Sequence, residues 1–346
     1  MLFGVGSSIY RKFFPKPPPA PTISFGQLPA LPFPESQKPA NLNYVLETPQ
    51  GGLPKLVTQA NVFFMPKISS NLLSLDLAKQ KAADLDFNPN PQEVSETIYR
   101  FTHPKAPATL EMNIVTGIFS ISFDLGQEPS ILEKRPPAPE VATSQVKSFL
   151  SSANLFPEDL TGQTTHEFLK ISEGKLTPAL SLSESNFVKV NLFRKNYDEL
   201  PSLTPNTNEA NVWFIVSGAR EREKQIVAGQ FHYFPIDETQ SSTYPLKTPD
   251  AAWQELITGG GFIANLGTNK EGDKITVRRV YLAYYDAGVP TEFYQPIIVF
   301  EGDNGFIAYV PAISPEQYGN GETTPTPSPT STPEASPTPT ASPEGE

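Results

Sequence analysis

Proline limits where this chain can form regular structure more than any other residue, because it donates no backbone hydrogen bond inside a helix or a sheet. Of the 38 prolines in 346 residues, nine fall in residues 1–40 and seven in residues 321–346. The rest are spread through the long stretch between, at a density that ordinary loops can hold. The sequence therefore predicts two proline-rich ends around a globular middle.

The chain is acidic, with a formal net charge of −11 from 37 Asp and Glu against 26 Lys and Arg. Residues 1–40 are net basic, so the negative charge lies in the middle and in the tail. An acidic body repels nucleic acid and anionic lipid headgroups, which predicts that nucleic acid is not a partner. The sequence contains no cysteine, and this excludes disulfides, thiolate zinc sites and a cysteine nucleophile.

The N-terminus begins with nine apolar or small residues, MLFGVGSSI, and then becomes basic and rich in proline. Nine residues are too few to cross a bilayer, which takes about 20. One interpretation is a disordered soluble N-terminus. The favoured one is that residues 1–14 are the exit end of a membrane helix, with interfacial Phe13 and Phe14, followed by a stiff proline-rich spacer over residues 15–40. The basic flank argues against an outward-facing body, because such flanks prefer the cytoplasmic side.

The C-terminal residues 316–346 are dominated by proline, threonine and serine, and no apolar residue larger than alanine occurs after residue 320. Such a composition cannot offset the entropy of ordering the chain. It predicts a disordered acidic tail, either a spacer of a surface protein or a tail without that role.

Helix-like and strand-like patterns recur in one order along the middle. The clearest copy has Thr248 as an N-cap and a helical face of Ala252, Trp253, Leu256 and Ile257. Three strand patterns follow, over 275–285, 295–301 and 306–310.

The same order appears twice earlier in the sequence. We therefore predict an α+β fold of three αβββ modules, each a helix packed on an antiparallel sheet. Their bounds are 41–135, 136–240 (with an additional hairpin) and 241–315.

The last module is rich in aromatic residues, as in YLAYYDAGVPTEFYQPIIVFEGDNGFIAYV. Bulky rings are what a small sheet needs on the face that a helix covers, so we expect most of them in the core. The alternative is a sheet face that binds a peptide or a glycan. Its candidate residues are Tyr281, Tyr284, Tyr285 and Tyr309.

The stretch VRRVYLAYYD followed by QPIIVFEGDNGFIAYVPAI resembles PepSY-type domains. The similarity is greatest to those of membrane-anchored, extracytoplasmic regulators of a cell-wall sensor kinase of Gram-positive bacteria. It is clear over residues 244–313, fair over 140–194 and slight over 60–125. The resemblance implies an envelope location and a binding or regulatory role, with no active-site residues or cofactor to transfer.

Motifs for catalysis and metal binding were sought along the whole sequence. His103, His166 and His232 lie far apart and lack the close spacing of metal ligands. The glycines of TGGGF follow a helix, which indicates a helix stop rather than a phosphate loop. EGDNGF lacks the spacing of a calcium loop. The sequence predicts no catalytic, cofactor or metal site.

The favoured function is that of a non-enzymatic bacterial envelope protein. It would be tethered by its N-terminus on the extracytoplasmic side of the cell membrane, and would bind another envelope protein or peptide through a sheet edge or face. One alternative is an inhibitor or chaperone-like module for a secreted peptidase. Another is a hydrolase with paired carboxylates. The partner's identity and the oligomeric state stay open.

Overall fold

The structure of the chain is a computed structural model that describes residues 19–35, 42–67 and 74–319. The anchor expected over residues 1–14 lies outside the described residues, as do residues 15–18 and 36–40 of the expected spacer and the tail beyond residue 319. No helix in the described ranges is both long enough and apolar enough to cross a membrane.

The described residues form three α-helices and eighteen strands. The helices are α1 Ser74–Asp84, α2 Pro139–Ser152 and α3 Pro249–Ile257. The strands are β1 Asn43–Leu46, β2 Gln59–Phe64, β3 Gln92–Glu93, β4 Ile98–Thr102, β5 Ala108–Asn113, β6 Phe119–Phe123, β7 Thr164–Ser172, β8 Lys175–Pro178, β9 Phe187–Leu192, β10 Ser202–Leu203, β11 Val212–Ser217, β12 Ile226–Phe231, β13 Asp237–Pro245, β14 Phe262–Asn265, β15 Lys274–Tyr285, β16 Phe293–Tyr294, β17 Pro296–Gly302 and β18 Ile307–Pro311.

The largest sheet has nine strands in the order β3-β4-β5-β6-β12-β11-β9-β7-β8, and every neighbouring pair is antiparallel. Side chains alternate between the two faces of its strands, and those on one face are buried against α1 and α2. Phe101, Leu110 and Phe214 of the sheet pack there with Ala82 of α1 and Val146 of α2. Most of the side chains that these two helices bury are alanine or valine, and such small side chains let the helices lie close to the sheet.

The remaining strands form two smaller sheets. A sheet of six strands runs β1-β15-β17-β18-β14, with β10 also paired to β15, and a sheet of three strands runs β13-β2-β16. Helix α3 covers one face of the six-stranded sheet through Ala252 and Leu256. Thr248 caps this helix as expected, because its side chain accepts a hydrogen bond from the amide of Ala251 at 3.2 Å. Ile257, however, is 40% exposed, so it is not part of the buried face.

The expected α+β fold of repeated αβββ modules is wrong, because the protein is a sheet-rich fold with three multi-stranded sheets. Strand β6 of the expected first module pairs with β12 of the second, so that both contribute to one sheet. Strands β1 and β2 leave the first module and pair with β15 and with β13 and β16. Local alternation of apolar and polar residues predicts a strand, whereas its pairing partner depends on burial across the whole chain.

Candidate functional site

Three of the four tyrosines proposed as a binding face share one face of the six-stranded sheet. Tyr285 and Tyr309 are 2% and 0% exposed, while Tyr281 is partly buried beneath the guanidinium of Arg279, 5.1 Å from its ring centre. Burial raises the pKa of Tyr281 to about 12, helped by the charge of Glu301. Tyr281, Tyr285 and Tyr309 therefore lie together on one face, and most of that face is covered.

Tyr284 lies on the opposite face of β15 from Tyr285. It is fully buried with Phe63 and Tyr294, and its hydroxyl donates to the carbonyl of Asn61 at 2.9 Å and to Asp198 at 3.1 Å. Its ring stacks on Tyr294 with centroids 5.1 Å apart. Tyr284 thus belongs to the core between the six-stranded and three-stranded sheets.

The chain's own N-terminal segment, which we define as residues 22–33, contacts both faces of the six-stranded sheet. Phe25 and Leu28 join the cluster that α3 covers, and Leu31 and Phe33 cover the tyrosine face. Phe33 stacks parallel on Phe262 with centroids 5.0 Å apart and meets the ring of Tyr285 at 4.8 Å. Leu31 packs into the same apolar cluster. Residues that the sequence assigned to a spacer therefore fill the face that it assigned to a partner. We call the surface that contacts the segment the aromatic groove, and define it by Phe262 and Tyr285 of the tyrosine face, by Gln295, and by Phe293 and Tyr244 of the three-stranded sheet.

The N-terminal segment is held along its length by hydrogen bonds as well as by rings. At its start Thr22 and Ser24 bind Ser242 and Thr243 of β13. In its middle the hydroxyl of Tyr244 donates to the carbonyl of Gly26 at 2.9 Å, and Phe25 packs on Phe293 at 4.9 Å. These contacts fix the segment on both sides of a turn, in which the amide of Gly26 donates to the carbonyl of Ile23 at 3.2 Å.

Leu28 is the centre of this docking. It is 1% exposed and forms a parallel bridge with Tyr318, in which its amide donates to the carbonyl of Gln317 at 2.8 Å and its carbonyl accepts from Gly319 at 3.0 Å. On the other side of the segment, the amide of Gln295 donates to the carbonyl of Pro29 at 2.9 Å. The groove thus binds main-chain groups on both sides of the segment.

The docking of the N-terminal segment was not predicted from the sequence, because its prolines are typical of a spacer. A usable signal was present, since Phe25, Leu28, Leu31 and Phe33 place large apolar side chains at intervals of two or three residues between the prolines. Large apolar side chains are uncommon in solvated spacers, which do not bury them. Proline itself favours an extended conformation, which a groove can bind.

A buried charged centre lies at the end of β15, next to the aromatic groove. Arg194, whose side chain is 1% exposed, bonds to Asp159 and lies 3.0 Å from Asp286 through Nε, an ion pair without hydrogen-bond geometry. It also donates to the carbonyl of Phe234 at 2.6 Å. Burial alone would lower the pKa of Arg194, but the charges of Asp286 and Asp159 raise it above its ordinary value. The guanidinium therefore stays charged.

Two tyrosines complete this centre. The hydroxyls of Tyr197 and Tyr233 donate to the two carboxylate oxygens of Asp159 at 3.0 and 2.9 Å, and the guanidinium of Arg194 lies 4.5 Å from the ring centre of Tyr233. Burial, and then the charge of Asp159, raises the pKa of both tyrosines. Because its members follow β9, β12 and β15, the centre joins the large sheet to the six-stranded one.

Two of the carboxylate pairs in the described part of the chain enclose a mostly buried cation. Asp159 and Asp286 flank Arg194, and Glu167 and Glu209 flank Lys189. In a hydrolase of the paired type the two groups face a substrate across an open gap. These pairs have the geometry of structural ion pairs.

The three histidines lie in separate environments. His103 packs edge-on against Phe87 at 5.3 Å, and His166 shares a hydrogen bond of 2.7 Å with Thr143. In the ranges that the structure describes, no group of three or more His, Asp or Glu side chains is arranged to hold a metal ion.

His232 makes stability depend on pH. Burial lowers its pKa from 6.5 to about 4, so the folded protein keeps it neutral while the unfolded chain binds a proton below pH 6.5. Stability is therefore complete above pH 6.5 and falls as the pH drops towards 4. We expect this residue to contribute a loss of up to roughly 3 kcal/mol, measured by urea denaturation between pH 7 and pH 4. His232→Gln should flatten this part of the profile, whereas Gln230→Ala on the adjoining strand should not. Equal slopes in His232→Gln and the wild type would contradict the assignment.

Comparisons with known proteins give a likeness of shape only. No family model matches the chain, and no curated protein matches it. Among solved structures, the chain is similar to an uncharacterized protein from Eubacterium rectale ATCC 33656, with 12% sequence identity. The similarity covers 75% of this chain and 84% of that chain, at a TM-score of 0.39. At these values it does not extend to function, which rests on the geometry of the groove.

Proposed function

We propose that this chain is a non-catalytic envelope protein that binds an extended, proline-containing segment of another envelope protein in its aromatic groove. One observation carries the proposal: the groove already holds a proline-containing segment, which is paired like a strand through the main chain of Leu28 and places Phe33 between Phe262 and Tyr285. Extended segments of this kind are bound by main-chain hydrogen bonds for affinity and by side-chain slots for specificity.

Because the chain's own N-terminal segment occupies the groove, a partner can bind there only when that segment is displaced. A segment on the same chain competes at an effective concentration on the order of millimolar. A partner must therefore either bind more tightly or arrive when the segment has left. This is the behaviour of a regulatory or scaffold protein whose binding face is opened by its partner.

The proposal is tested with a labelled synthetic peptide of residues 19–35 and the full-length chain. Phe33→Ala in the chain removes the stacking on Phe262 and weakens the internal competitor. We expect that variant to bind the peptide at least about tenfold more tightly than the wild type, as measured by fluorescence anisotropy. Adding Phe262→Ala to the same variant should abolish the binding, because the slot for the ring is lost.

Val57→Ala is the matched control for the peptide experiment, because Val57 is 61% exposed and lies outside the groove. This variant should bind the peptide as weakly as the wild type does. If the Phe33→Ala chain gains no affinity, the groove is only part of the core and the proposed function fails.

We also propose that residues 1–14 tether the chain to the extracytoplasmic side of a bacterial membrane. The proposal is supported by the apolar start of the sequence and by the interfacial Phe13 and Phe14. Fractionation of the native cells, with the protein detected by an antibody and followed by protease treatment of intact spheroplasts, tests it. Membrane-bound and protease-accessible protein is expected, and recovery of the full-length chain from the cytosol would refute the location.

A further inference from the structure

Gln295 is a buried side chain that uses half of its hydrogen-bonding capacity. It is 2% exposed, and its Nε2 donates to the carbonyl of Pro29 at 2.9 Å. Its Oε1 is fully buried and has no hydrogen-bond partner among the residues that the structure describes. Buried amide oxygens of this kind are nearly always bonded in native proteins, so the missing partner of Gln295 needs an explanation.

The alternation of an extended chain supplies one. In such a chain the N–H and C=O of one residue point to the same side, and those of the next residue point to the other. Leu28 directs both of its groups towards Gln317 and Gly319. The groups of residue 29 must therefore point the opposite way, towards Gln295.

Residue 29 is a proline, which has a carbonyl but no N–H. A side-chain amide that donates to the carbonyl of a bound residue can also accept from an N–H of that residue. Pro29 offers the carbonyl and no N–H, which accounts for an Oε1 atom without a partner.

A second atom in the groove shows the same deficit. The hydroxyl of Tyr285 is buried and has no partner in the described part of the chain, although the ring of Phe33 lies against that of Tyr285. The groove thus offers more hydrogen bonds than the N-terminal segment uses. An occupant that leaves buried polar groups unpaired binds more weakly than one that satisfies them.

We propose that Gln295 is a specificity-determining residue that reads the N–H and C=O of one residue in a bound extended peptide, and that the N-terminal segment is an imperfect occupant because it places Pro29 there. The partner segment accordingly carries a residue other than proline at this position, with an apolar residue before it and an aromatic ring four residues after it. This inference rests on the proposed function of the groove and adds the chemistry by which the partner displaces the resident segment.

The test uses two synthetic versions of the 19–35 peptide that differ by one N–H. One peptide replaces Pro29 with alanine and the other replaces it with N-methylalanine. Both therefore lack the proline ring. They are titrated into the full-length chain carrying Phe33→Ala. We expect the alanine peptide to bind roughly three- to tenfold more tightly than the N-methylalanine peptide, as one additional hydrogen bond provides.

The same two peptides are then titrated into the chain that also carries Gln295→Met, a side chain of similar length without the amide. The preference should vanish, and both affinities should become equal. A preference that survives Gln295→Met, or equal affinities in the chain that retains Gln295, would overturn the inference. In either case binding of the peptides themselves would leave the proposed function standing. If no version of the peptide binds, both fail.

Discussion

Replacing Arg194 with methionine is expected to lower the free energy of unfolding by about 3–5 kcal/mol. Methionine fills much of the same space but leaves Asp159 and Asp286 buried without their cation, and the carbonyl of Phe234 without its donor. An uncompensated buried charge costs far more than the ion pair contributes when intact. Urea denaturation of the wild type and the variant measures the difference.

Two further variants separate charge from packing at the Arg194 centre. Arg279→Met makes the same change in an ion pair whose arginine is 64% exposed, and it should cost at most about 1 kcal/mol. Adding Asp159→Asn and Asp286→Asn to Arg194→Met removes the unpaired charges and should recover a large part of the loss. If the triple variant is no more stable than Arg194→Met, the loss comes from shape and the electrostatic account is wrong.

Leu28→Ala is expected to weaken the docking of the N-terminal segment by about 2–4 kcal/mol, the usual cost of removing a buried leucine. Leu28 is 1% exposed and packs in the cluster that α3 forms with the six-stranded sheet. The amide of Gly319, bonded to Leu28, and that of Ile23, bonded to Thr243 earlier in the segment, should exchange hydrogen at least about 30-fold faster in the variant.

Residue-resolved hydrogen exchange of the full-length chain provides the measurement for Leu28→Ala. Amides of the nine-stranded sheet should keep their wild-type rates, since that core is separate from Leu28. Val57→Ala, at an exposed position, is the control and should change neither set. Acceleration of both sets together would show that the segment is part of the cooperative fold and not a separately docked element.

The local structure of the last third of the chain could be predicted from the sequence, because its signals are short-range. The cap at Thr248 and the alternation in 275–285 each depend on neighbours a few residues away, and helix α3 and strand β15 form there. The preference for the core over a ligand was also right for Tyr284, which the structure buries completely.

The sheet order and the groove could not be predicted, because both depend on contacts between distant residues. Nothing near Phe119 indicates that it pairs with Phe231, nor near Asn43 that it pairs with Lys274. The groove needs Phe33 to meet Phe262, and proline-rich composition concealed that contact. Repeated helix and strand patterns predict repeated modules, although equal patterns can also pair in one sheet.

The parallel bridge between Leu28 and Tyr318 has a mechanical consequence. Tension applied between the N-terminal side of Leu28 and the C-terminal side of Tyr318 would pull two parallel strands in opposite directions, so their hydrogen bonds are loaded in shear and share the force. A pull on the N-terminal side alone reaches Thr22 first and can peel the segment from β13 contact by contact. The direction of a pull would thus decide whether the aromatic groove stays closed or opens.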